Sequence, residues 1–509
     1  MGAEQHEGIS MSQNVVADAP PRAASTAQHT ADPRRWLALA VIALAQLMVV
    51  LDATVVNIAL PSAQQALHIS DANRQWMVTA YTLAFGGLLL LGGRVADYLG
   101  RKRAFLIGLI GFAGASALGG AAVNEGMLFA ARGLQGAFGA LLAPAALSLL
   151  TVTFTSARER ARAFGVFGAI SGGGAAIGML SGGLLTQYLD WRWCLYVNVP
   201  IAIIAFAAAL PIVRESRAEG NTRYDIGGAV LATAGLLSLV YGFTKAATDG
   251  WGSGVTLGFL VGAVVLLVAF VFVESRVANP LLPLRVVLDR NRGGSFLTSV
   301  LLGSGMLGMF LFMTYYLQQT LHYSALRTGI AYLPFSLGII AAATVAAQLL
   351  PRVGPRVLMS VGAVLATGAM FWLTTLNLHS SYATMILPSF LMMSFGMGLV
   401  FVPLSNTALN GVANHDAGVA SALVNTSQQV GGSLGTALLN TIFTTVFADY
   451  LIAHGTSPAA QAGGAIHGYN VAFLVSALLM AASAVVVFTM IRKKPETAIV
   501  EDAPLAHIG

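Results

Sequence analysis

What most limits the fold of this chain is a succession of long apolar runs separated by short polar ones. A membrane-spanning helix needs about 20 predominantly apolar residues at 1.5 Å rise each. Fourteen stretches meet that window, with cores at 36–60, 76–93, 104–122, 127–150, 162–186, 195–213, 226–245, 255–273, 296–318, 329–350, 357–376, 384–407, 418–447 and 469–491. Backbone groups in hydrocarbon must be satisfied within their own segment, so such runs fold as helices. Only 9% of the 509 residues are charged, where a soluble protein has about a quarter. The expectation is an all-α membrane protein with 14 transmembrane helices.

Charge orients the spans. With the N-terminus inside, the inward segments hold Arg22, Arg34 and Arg35; Arg94, Arg101, Lys102 and Arg103; Arg158, Arg160 and Arg162; Arg214, Arg217 and Arg223; Arg276, Arg285, Arg290 and Arg292; Arg352 and Arg356; and Arg492, Lys493 and Lys494. That is 22 of the 27 Lys and Arg. The outward segments hold Arg74, Arg192, Lys245 and Arg327, and Arg132 lies within a span. Basic residues in short loops stay cytoplasmic. Both termini are therefore expected inside, in a multi-pass protein of the cytoplasmic membrane. Residues 1–35 are polar, with Glu4, Glu7, Asp18, Pro20 and Pro21, and read as a disordered cytoplasmic tail rather than a signal peptide; 492–509 reads as a second tail.

The same inventory excludes several functions. The net charge of +6 follows from the flanks of the spans and needs no nucleic acid. One cysteine, Cys194, excludes an internal disulfide and a cysteine metal cluster. The nine histidines show no metal-ligand spacing, and no phosphate-cradling GxxxxGK[ST] loop occurs. Neither a metal, a cofactor nor an enzymatic activity is expected.

The densest charge lies in GGRVADYLGRKRAF, Gly92 to Phe105, a short hairpin between the second and third spans. Glycines there allow a tight turn and close approach of helix ends. Asp97 can pair with the neighbouring cations or cap a helix N-terminus. Its pattern, with Gly93, Asp97, Gly100, Arg101 and Lys102, resembles the G-x-x-x-D-x-x-G-R-K signature of the major facilitator superfamily. An ordinary basic loop would explain the cations but not the Asp and Gly spacing. Residues 347–356 look like a degenerate copy, with Gly354 answering Gly100 and Pro351 standing where Asp97 would be. Gly431 and Gly435 likewise answer Gly174 and Gly178. Two six-helix halves are expected, 36–213 and 296–491, with 214–295 carrying two inserted spans and their linkers; paired halves around a midplane cavity suit a secondary transporter.

Three more stretches, LDATVVNIALP (Leu51 to Pro61), RGLQGAFGALLAPA (Arg132 to Ala145) and WRWCLYVNVP (Trp191 to Pro200), join the hairpin in resembling the fourteen-span drug:proton antiporter branch of that superfamily. The resemblance covers roughly residues 36–492. It implies proton-driven export of amphipathic drugs or antibiotics, with protons and the lipid bilayer as the other partners. Export of one endogenous metabolite or antibiotic, nutrient import, and a non-transporting sensor or scaffold are the alternatives.

Asp52 is the one carboxylate placed firmly within a span. An intramembrane acid costs several kcal/mol unless it faces a cavity or partner, which makes it a candidate proton site; a structural partner for a helix end or for Arg132 is the other reading. Arg132 is the one basic residue inside a span, with Gln135 on nearly the same helical face. The resemblance implies a part in proton coupling for this arginine, and a tether between helix carbonyls is equally open. Gly174, Gly178, Gly182 and Gly183 resemble the antiporter signature G-x-x-x-G-P-x-x-G-G, with Met179 in place of its proline, or serve as a helix-packing face alone. Asn57, Tyr315, Tyr316, Gln318, Asn425 and Gln428 offer the amides and aromatics that an amphipathic cargo needs.

Overall fold

The computed structural model describes residues 2, 34–154, 157–217, 225–277, 280–282, 284–410, 412 and 417–492. Arg22, Arg223, Lys493 and Lys494, and nearly all of both expected tails, lie outside them; of Asp97, Arg158, Arg160 and Gly172 only the backbone is described. The chain divides into Met1–Pro33 and Arg34–Gly509, and every helix below belongs to the second unit.

The apolar runs become α1 (Arg35–Ala66), α2 (Trp76–Leu99), α3 (Arg101–Gly120), α4 (Glu125–Thr153), α5 (Ala157–Tyr188), α6 (Trp193–Ile212), α7 (Ile226–Asp249) and α8 (Gly254–Glu274). After a single turn at Leu284–Val287 come α9 (Arg290–Thr320), α10 (Ala325–Val353), α11 (Pro355–Leu373), α12 (Tyr382–Leu409), α13 (Ala417–His454) and α14 (Pro458–Met490). Among the described residues, 12 of these helices are long and apolar enough to cross a membrane; α2 contributes the shorter apolar piece Trp76–Leu89. The chain is thus an all-α, membrane-spanning protein.

Boundaries follow local chemistry. Asn124, Ser253, Ser324 and Ser457 each accept a backbone N–H of the first turn of α4, α8, α10 and α14, satisfying groups that a helix start leaves open. Between α2 and α3 the chain turns on Gly100 alone, at φ +104°. That conformation suits glycine, and a Cβ here would lie 2.6 Å from a Glu215 carboxylate oxygen.

Helix α4 packs against α2 and α3, α1 against α5, and α3 against α6. Later in the chain α9 packs against α13 and α14, and α12 against α10 and α11. These two groups meet through α2 with α13, α5 with α10, and α1 with α9. Helices α7 and α8 pair with each other, and α7 lies against both α2 and α13. One core cluster holds Ile42, Phe105, Phe112 and Leu149; the largest spreads from Ile58 through Phe312, Tyr332 and Phe390.

Candidate functional site

Five helices converge on one polar cluster in this apolar interior. Asp52 comes from the middle of α1, Arg132 and Gln135 from one face of α4, Ser116 from α3, and Asn198 from α6; Met77 and Tyr81 lie in the first turns of α2. Arg132 donates from Nη1 to Asp52 Oδ2 at 2.7 Å and to Gln135 Oε1 at 2.8 Å. Its Nε donates to the Met77 carbonyl at 3.0 Å, and its guanidinium stands 4.5 Å from the Tyr81 ring centroid. Asp52 Oδ1 accepts from Gln135 Nε2 at 2.9 Å and Asn198 Nδ2 at 2.8 Å. Ser116 Oγ accepts from the same two amides and donates to the Leu195 carbonyl.

Asp52 is 0% exposed and Arg132 2%. A lone charge at that depth costs several kcal/mol, and here each side chain has the other as its partner at 2.7 Å. A cavity of about 10 Å³, on the order of one water, touches Arg132 among Val56, Ala59, Met77, Leu128 and Cys194. Asn198 and Ser116 carried no assigned role in the sequence. Asn198 lies within the singled-out WRWCLYVNVP stretch, an amide opening an apolar span, whereas Ser116 sits in an apolar run with nothing to mark it.

The glycines of α5 position this cluster. A Cβ on Gly174 would lie 2.9 Å from a Val50 methyl, one on Gly178 would collide with Thr54 Oγ1, and one on Gly182 would lie 2.7 Å from the Val55 carbonyl. Three glycines at four-residue spacing thus hold α5 backbone-close to the stretch of α1 that carries Asp52. Gly183 faces the other way, onto Ala325 and Leu326 of α10. Gly431 and Gly435 repeat the arrangement on α13, where Cβ atoms would strike Val300 and Ser304 of α9.

At the Gly100 turn, Glu215 carries the anion that the first turn of α3 receives. Its carboxylate accepts the backbone N–H groups of Lys102 at 3.0 Å and Arg103 at 3.3 Å, and Arg101 N donates to the Ser216 carbonyl. Lys102 Nζ donates to the Leu210 carbonyl at 2.7 Å. The arrangement ties the start of α3 to the end of α6 through charge at a helix N-terminus. A Cβ on Gly93 would lie 3.5 Å from Pro144 Cβ of α4, an ordinary contact.

The opposite end of the bundle is closed around Arg74. This side chain is 2% exposed, donates from Nε to Asn440 Oδ1 of α13, and pairs with Asp71 at 3.3 Å. Its guanidinium lies between the rings of Tyr315 and Phe443, 4.2 and 4.6 Å away. Gln318 donates to the Ile58 carbonyl of α1 at 2.8 Å, and Leu326 N to Gln187 of α5 at 3.2 Å. Tyr315, Tyr316 and Gln318 belong to this end; the Tyr316 hydroxyl donates to the Asn377 carbonyl. Asn57 donates within its own helix to the Ala53 carbonyl. Asn425 and Gln428 sit elsewhere: fifteen residues separate Asn425 from Asn440, about 22 Å of helix.

The Major Facilitator Superfamily matches the chain over residues 42–436. The puromycin resistance protein pur8 of Streptomyces alboniger is 53% identical over 93% of this chain and 95% of its own. The cephamycin export protein CmcT of Amycolatopsis lactamdurans is 40% identical over 80% of this chain and 84% of its own. Among solved structures, an inward-facing, unoccupied bacterial homologue of the human lysosomal transporter Spinster shares the fold. Its TM-score is 0.63 at 15% identity, over 90% of this chain and 97% of that one. The chain belongs to the Major Facilitator Superfamily, in the branch of its antibiotic-resistance and drug-efflux transporters.

Proposed function

We propose that this chain is a proton-driven exporter of amphipathic antibiotics. Its fourteen spans form two six-helix halves, α1–α6 and α9–α14, with α7 and α8 inserted between them, and both termini are cytoplasmic. The observation that carries the proposal is a fully buried ion pair, Asp52–Arg132, inside a bundle whose relatives confer puromycin resistance and export cephamycin. A puromycin-like cargo, cationic and amphipathic, is the first candidate. The 22-to-4 distribution of basic residues supports the orientation, with the Arg101 turn inside and Arg74 outside.

The chemistry follows from the pair. A proton on Asp52 discharges the carboxylate and removes the charge pairing between α1 and α4, leaving the Gln135 amide on Asp52 Oδ1. Arg132 then keeps the Met77 carbonyl, Gln135 and the Tyr81 face, so its charge stays bound to α2 and α4. Protonation thereby weakens α1 against its neighbours without expelling Arg132, a local change that biases a two-state bundle.

Inside-out vesicles bearing the protein test the reading. An imposed acid interior should drive puromycin uptake, and collapse of the gradient should stop it. Uptake indifferent to the gradient would leave a facilitator or importer. No uptake of puromycin or of other amphipathic antibiotics would leave a non-transporting membrane protein. Exposed His68 and His322, changed singly to Cys in a Cys194→Ala background, should label from outside intact cells, whereas Arg217→Cys should not.

A further inference from the structure

The inserted hairpin carries a second pair of buried acids that the Asp52 cluster does not use. Asp225 caps α7, its Oδ1 accepting the Gly228 N–H at 2.6 Å. Glu274 ends α8, its Oε2 accepting the Leu282 N–H at 3.0 Å. The residues are 6% and 3% exposed. The second oxygen of each, Asp225 Oδ2 and Glu274 Oε1, is buried and takes no hydrogen bond among the described residues. Both face the gap left by the missing side chain of Gly228: a Cβ there would lie 2.5 Å from one and 2.6 Å from the other.

Two carboxylates facing each other in a buried site disfavour being ionised together. A cation or a proton between them relieves that repulsion. Calcium takes six or more oxygen ligands and magnesium near-octahedral coordination, but the other oxygen of each acid is already held by a backbone N–H. A proton needs only the two that are open. No Lys or Arg among the described residues enters the gap: Arg276 lies over the Phe272 ring, and Arg276, Arg285 and Arg217 are exposed. Glu219 and Arg223 lie outside the described residues.

We propose that Asp225 and Glu274 form a proton-binding site, one proton held between Asp225 Oδ2 and Glu274 Oε1, that clasps the α7–α8 hairpin to the segment leading into α9. The proton comes from water at the Arg101 end, one carboxyl becomes the O–H donor and the other the acceptor, and the pair carries a single negative charge. Loss of the proton sets two anions against each other where α7 begins, α8 ends and Leu282 is anchored. Because α7 lies on both α2 and α13, a clasp that opens with proton loss loosens the contact of that hairpin with both halves of the bundle.

The test needs no transport. In full-length protein in lipid nanodiscs at mildly acidic pH, the infrared spectrum should contain a protonated-carboxyl C=O band that shifts in heavy water and fades as the pH is raised. Glu274→Gln supplies an amide N–H where the proton would be, and should fold with that band lost; Asp225→Asn should remove the same band and serves if the first variant fails to fold. No band lost in either folded variant overturns the proposal. So does a rise in melting temperature with sodium, magnesium or calcium chloride that wild type shows and Glu274→Gln lacks, since the gap then holds a metal cation.

Discussion

Arg74, on the turn before α2, donates to Asn440 of α13 across 366 residues of chain, and the two hold one end of the bundle shut. Asn440 also donates to the carbonyls of Asp71 and Ala72 and to the Gln75 side chain, and Gln75 donates to Thr244 of α7. A single amide thus joins α13 to the α1–α2 turn, and through Gln75 to α7. Asn440→Ala leaves a buried guanidinium short of an acceptor, at a cost of about 1–3 kcal/mol to this closed state. That shifts the balance between open and closed by roughly 5- to 150-fold. Alkylation of a Gln318→Cys reporter should accelerate accordingly, and an unchanged rate would show that the latch carries no weight in closure.

Asp52→Asn should abolish gradient-driven export. Breaking a buried pair by removing one partner costs about 3–5 kcal/mol, so the variant should also melt earlier. Asp52→Asn combined with Arg132→Gln removes both charges and should recover most of the thermal stability with no recovery of export. If the double variant pumps, protons travel by another group.

Glu215 acts from outside the hairpin to which it is bound. Glu215→Ala removes the anion at the start of α3, worth about 1 kcal/mol as a cap, and should slow turnover while leaving the amount of protein in the membrane unchanged. Glu215→Asp should restore part of the rate. Equal turnover in all three proteins would reduce the contact to an ordinary surface interaction.

Gly178→Ala drives a methyl into Thr54 and should destabilise by about 1–3 kcal/mol as overpacking. Thr54→Ala in the same chain opens the space, so the two changes should couple: the double variant melts above Gly178→Ala alone. Strict additivity would mean that α5 does not lean on α1 at this point.

Much of the membrane architecture is legible in the sequence, because each element depends on its own residues. An apolar run of span length forms a helix in hydrocarbon regardless of its neighbours. Arg and Lys in short loops set the side on which each loop is expected. Asp52 and Arg132 stand out because a charge among apolar residues is costly wherever the helix ends up, and Gly174, Gly178 and Gly182 announce a close-packed face by spacing alone. Partnership is a different quantity. That Asp52 meets Arg132, and that Asn198 and Ser116 complete its shell, depends on how α1, α3, α4 and α6 cross, which no local pattern encodes. Arg74 reads in the sequence as one more loop cation, yet tertiary contact buries it between two aromatic rings. Glu215 and Glu274 follow the same rule: each is an unremarked acid at the end of a segment until packing brings a helix N-terminus or a second carboxyl against it. Residues alone thus mark the long apolar helices and the charges that are costly among them. Who compensates those charges is fixed by the fold, because pairing energy falls off within a few ångströms and distances of that size are set by helix crossing.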